Sequence, residues 1–155
     1  MAGTLKITTF NCQGFKERMY EYVKEVFNQS DIMFLQETWL YNFEHKNITN
    51  IIPNCQLYAI SSMDDADTQR KGRPFGGCAV LWKKNLALAI TPVSTTSPRI
   101  CAVEIISDSI KAMLITIYMP NDNDQGNNHN VYGDVLAEIS SIISNYEYDV
   151  IIGVT

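Results

Sequence analysis

Asn11 with Gln13, the lone carboxylate Glu37, and Tyr118 with Asn121 are the polar residues whose types could together handle a phosphate group. Each falls just after a strand candidate, and a further one ends at Gly153. A carboxylate flanked by neutral amides and a phenol suits one hard cation and a phosphate, because Mg²⁺ takes few protein carboxylates and completes its shell with water and substrate oxygens. Asn and Tyr contribute hydrogen bonds to phosphate oxygens without adding charge. Taken singly, Asn11 is a turn residue, Tyr118 a strand-end aromatic, Asn121 a turn or helix cap and Glu37 a solvated acid. The elements behind them therefore decide whether they meet.

Ile32 to Leu35 are four consecutive apolar residues after Asp31, the pattern of a strand buried on both faces, with Glu37 at its exit. Binding groups of α/β sheets collect at such exits, where loops vary while the sheet holds them still. Leu5–Phe10 alternates and is β-branched, predicting a first strand that ends in the polar turn Asn11 to Gly14. Between these strands Met19, Tyr22, Val23, Val26 and Phe27 recur at helical spacing over Glu17–Asn28. Residues 41–53 predict a short helix ended by Pro53 and Asn54.

Leu57–Ile60 reads as a short strand, followed by Ser61–Pro74, the most polar run in the chain and a mobile loop. Its Arg70, Lys71 and Arg73 are candidate nucleic-acid contacts, against the plain alternative of a solvated loop. Gly76–Trp82 and Leu86–Ile90 predict one hairpin across Lys83, Lys84 and Asn85, and Ile100–Ile106 with Lys111–Tyr118 a second. Residues 119–130 are rich in turn formers, and Val131 to Tyr146 carries a helical stripe. Asp149–Gly153 is a last strand. Eight strands and two clear helices give an α/β class with one mixed, mostly antiparallel sheet and helices on one face.

At 155 residues and 46% apolar content, the chain fits one domain that buries roughly two thirds of its unfolded surface. The net charge of -5 does not favour nucleic acid over the whole surface, so any phosphate binding must be local. Four irregularly spaced cysteines, with only His45 and His129 as partners, argue against zinc, and Cys78 and Cys101 sit in apolar runs as small hydrophobes. The first ten residues have neither the pattern of a signal peptide nor the length of a membrane span. The expectation is an intracellular protein, nuclear or cytoplasmic, with no membrane partner.

The chain resembles the endonuclease/exonuclease/phosphatase superfamily, which includes DNase I and the apurinic/apyrimidinic endonucleases. It is most similar to the endonuclease domains of non-LTR retrotransposons, through TFNCQGF (9–15), DIMFLQETWL (31–40), GGCAVLWK (76–83) and ITIYMPND (115–122). The resemblance implies the N-terminal half of a DNase I-like four-layer α/β sandwich and Mg²⁺-dependent hydrolysis of DNA. It implies Glu37 as a metal ligand, Asn11 as a neighbour orienting Glu37 or the metal's waters, and Tyr118 and Asn121 at the scissile phosphate.

The chain also departs from that pattern. The family's last comparable strand runs into Gly-Asp-x-Asn, whereas Gly153 here is followed by Val154 and Thr155. Valine cannot take a proton or orient water, and the family's later Asp-His pair, its general base, has no counterpart in these residues. The leading expectation is a truncated, inactive nuclease-like domain of retroelement origin in which Asn11, Glu37, Tyr118 and Asn121 are vestigial. The alternatives are a fragment of an active Mg²⁺ enzyme completed from elsewhere, and a non-catalytic binding module. With two helices covering one sheet face, the other face is expected to be open and to form a homodimer.

Overall fold

The computed structural model describes residues 3–66, 72–120 and 128–155. Its strands form two four-stranded sheets. In the first, β1 (Ile7–Asn11), β2 (Ile32–Gln36), β3 (Cys55–Ile60) and β4 (Cys78–Lys83) lie in the order β1-β2-β4-β3. In the second, β5 (Ala89–Val93), β6 (Ile100–Ile106), β7 (Lys111–Ile117) and β8 (Asp149–Val154) run in sequence order. One parallel pair in each, β1 with β2 and β7 with β8, makes both sheets mixed. Each parallel pair brackets a helix. Helix α1 (Glu17–Asn28) lies between β1 and β2, and α3 (Asn128–Ser144) between β7 and β8. The short α2 (Lys46–Ile51) follows a 3₁₀ turn at Asn42–Glu44.

Apolar residues sort into three cores that separate four layers. Val23 and Phe27 of α1 and Ile48 of α2 pack with Met33, Leu35 and Leu81 on the outer face of the first sheet. Ile32, Phe34, Cys78 and Val80 meet Cys101, Val103, Ile105 and Leu114 between the sheets. Val135 and Ile139 of α3 cover Ala102, Met113, Ile115 and Ile117 on the outer face of the second sheet. Alternate residues of β2 thus serve two cores, which explains why the whole strand is buried.

The α/β class with mixed sheets therefore stands, but the expected half-sandwich of one sheet with helices on one face is replaced by two sheets and four layers from this chain. The expected hairpin of Gly76–Trp82 with Leu86–Ile90 is replaced by a crossover, since β4 pairs with β2 and β3 while β5 pairs with β6 across the sandwich. A short polar segment between two apolar runs looks the same whether the chain folds back or steps to a second layer. The second predicted hairpin is present, with Ile106 opposite Lys111. The helix-free sheet face expected to be open to a homodimer is covered by the chain's own second sheet, because the helices lie on both outer sides rather than on one.

The start of the Ser61–Pro74 run, expected to be mobile, is anchored. Met63 is buried, Ser61 Oγ accepts from its backbone N–H, and Asp65 accepts from the Asn42 backbone.

Candidate functional site

Glu37 leaves β2 with φ +52, and Trp39 follows at φ +58, both in the left-handed region that side chains seldom occupy. The surroundings enforce this turn from two sides. Gly14 and Phe15 donate backbone N–H groups to the carbonyls of Glu37 and Thr38 at 2.8 Å each. Thr38 and Trp39 in turn donate to the carbonyls of Gly77 and Gly76, at 3.2 and 2.9 Å. The glycine at 77 is required, because its φ is +88 and a Cβ there would run into the Thr38 side chain.

Asn11, at the end of β1, donates its amide to Glu37 Oε1 at 2.8 Å. Its carbonyl oxygen accepts the Gln13 backbone N–H at 3.0 Å, so both ends of the amide are engaged and the side chain orients the carboxylate. The same amide reaches Thr155 Oγ1 at 3.2 Å, joining the ends of β1 and β8. Beneath Glu37, the fully buried Gln36 donates to the hydroxyls of Thr9 and Thr116, a polar tie from one sheet to the other.

Glu37 and Tyr118 line one cavity of about 240 Å³, with Trp39, Arg73, Pro74 and Phe75. Arg73 lies over the Trp39 ring at 4.4 Å and Lys16 near the same ring at 5.1 Å. Arg99 lies over the Tyr118 ring at 5.1 Å. Three cations held on two aromatic rings that line the cavity give an acidic protein a local concentration of positive charge there.

The structure thus brings Asn11, Glu37, Tyr118 and Arg73 to one place. Asn121, Arg70 and Lys71 lie outside the described residues. Sequence reasoning passed over Trp39 and Arg99. Trp39 stands two residues after Glu37, and a large aromatic so close to a lone strand-exit acid was the available signal. The thiols of Cys12 and Cys78 are each pushed up to about 12, chiefly by burial with Glu37 adding to it, so they stay protonated as packing groups. Among the described residues no three of His, Cys, Asp or Glu come together as a metal cluster.

Residues 8–120 match the endonuclease/exonuclease/phosphatase family. The chain belongs to that family. No curated protein sequence matches it, but solved structures share its fold. The endonuclease domain of TRAS1, a telomere-specific non-LTR retrotransposon, is 14% identical with a TM-score of 0.67, over 97% of this chain and 59% of that one. An AP endonuclease from Archaeoglobus fulgidus is 17% identical with a TM-score of 0.61, over 93% and 53%. The 3′ phosphatase NExo from Neisseria, bound to product DNA hairpin, is 11% identical with a TM-score of 0.62, over 96% and 57%. The chain spans less than two thirds of the length of these structures. Among the described residues no helix is long and apolar enough to cross a membrane.

Proposed function

We propose that these residues form the metal- and phosphate-binding half of a phosphodiester-cleaving site, of retroelement origin, and that they do not cleave on their own. The observation that carries this reading is the composition of the cavity. One carboxylate, Glu37, stands with an orienting amide and a phenol, without a second acid or a histidine lining it among the described residues. That donor set fits Mg²⁺ held through a single carboxylate, with water and phosphate oxygens as its other ligands. Glu37 would hold the ion and Asn11 fix the carboxylate's angle. Bound there, Mg²⁺ would neutralise phosphate charge and polarise water. The Tyr118 hydroxyl would donate to a phosphate oxygen. None of these groups can act as a general base toward water once Glu37 is occupied by a cation. The ancestry rests on the four motifs that resemble retrotransposon endonucleases.

A second reading, an active enzyme completed by another segment, is favoured by the edges of β1 and β8, which among the described residues pair on one side only. They lie on the same side of the sandwich, where Gly153 packs against Thr9 and Phe34, and they flank Asn11 and Glu37. A segment pairing along them would bring further side chains to the carboxylate.

Calorimetric titration with Mg²⁺ tests the half-site directly. Millimolar binding that disappears in Glu37→Gln is expected. Micromolar binding would mean that additional carboxylates complete the site and would favour the second reading.

A further inference from the structure

We propose that Arg73 is the phosphate clamp of this site and that Trp39 is the platform holding it there. The inference rests on reading the Glu37 cavity as a phosphate site. It adds which group grips the anion and what kind of phosphate ester fits.

Trp39 is fixed on several sides. Its backbone N–H is bonded to Gly76, and its ring presses on Gly14 so closely that a Cβ there would lie 2.5 Å from the indole. Arg73 sits over that fixed ring at 4.4 Å. An indole offers a cation its π face but no hydrogen-bond acceptor, so the N–H fork of Arg73 stays unspent. Nor does an acid neutralise it, since among the described residues the one ion pair is Lys24 with Glu21. Arg73 and Glu37 line the same 240 Å³ cavity and carry opposite charge, yet they are not paired.

An arginine immobilised by stacking, with its fork free, suits bidentate grip of a phosphate far better than a loop lysine would. Phe75 and Tyr118 supply aromatic walls beside it. The ligand chemistry that matches is a phosphate ester carrying an aromatic base that is not stacked in a duplex, as in single-stranded nucleic acid. A free mononucleotide offers the same chemistry, so the experiment separates the two.

Binding of a short fluorescein-labelled single-stranded oligodeoxynucleotide is followed by anisotropy in EDTA, on the whole chain. Arg73→Gln should weaken it about tenfold, and Arg73→Lys nearly as much, because the ammonium lacks the planar fork. Trp39→Leu should mimic the arginine loss and Trp39→Tyr should largely rescue it, with circular dichroism reporting that each variant folds. Lys84→Gln, a cation just past the far end of β4, should change little. Competition by a mononucleotide as effective as by unlabelled oligonucleotide would support the clamp with a small-molecule ligand; weaker competition would support it with a nucleic-acid strand. Equal losses in Arg73→Gln and Lys84→Gln, or wild-type binding by Arg73→Lys, would overturn the proposal. Because EDTA removes Mg²⁺, this measurement reads Arg73 alone, whereas the calorimetric titration reads Glu37, so each reading fails separately.

Discussion

Asn11 and Glu37 make one unit, since the amide has a donor for the carboxylate and an acceptor already committed to Gln13. The acid was legible as a lone charge behind an apolar run. The orienting role of Asn11 was implied by the motif resemblance and not by its type alone, because an asparagine in a turn normally serves only the turn. Arg73 was legible as a charge, but its place over Trp39 depends on the glycines that bend the chain back toward β2. A residue outside the site carries a separate test. His45 is half-buried, its Nε2 is enclosed without a partner, and burial lowers its pKa below the usual 6.5 even though Asp65 and Glu44 pull it upward. The unfolded chain takes up a proton near 6.5 that the folded chain resists. Stability is therefore retained above that pH and lost as pH falls from 6.5 toward the folded pKa. Melting temperature measured against pH should decline through this window for the wild-type chain and decline less for His45→Asn. Parallel curves would show that His45 does not titrate with folding.

At the scale of elements, the segment Glu37 to Trp39 works because two loops grip it, one after β1 and one before β4. Gly77 is the point where that grip admits no side chain. Gly77→Ala must tolerate both a left-handed φ and a collision with Thr38, and should cost about 1–3 kcal/mol of stability in chemical denaturation. Because Thr38 and Trp39 would shift, Mg²⁺ affinity should fall as well. An unchanged midpoint would mean that the Thr38 side chain rotates away without loss. The elements themselves were mostly legible: α1 matches its predicted span, the β6–β7 hairpin is present, and β2 has the expected continuous burial. The β4 to β5 link was not, because turn chemistry at Lys83 to Asn85 says where a strand stops and not which layer the next one joins.

For the whole molecule, the decisive property is that three apolar cores make a four-layer sandwich from one chain, while β1 and β8 end the two sheets on the same side. Apolar content could announce buried strands, but it could not divide them between two sheets, since a strand buried on both faces satisfies either plan. Edge strand β8 leaves Ile151, Ile152 and Val154 43%, 37% and 52% exposed, and the residue after it, Thr155, reaches the Asn11 amide that holds Glu37. The proposed half-site would bind without cleaving, and a nicking assay on supercoiled plasmid tests that separation. With Mg²⁺ or Mn²⁺ the purified chain should relax plasmid no faster than Glu37→Gln does, because among the described residues no group lining the cavity besides Glu37 can serve as a general base, and such a base contributes about 10²–10⁴-fold in rate. Metal-dependent nicking by the wild-type chain that vanishes in Glu37→Gln would contradict the half-site account.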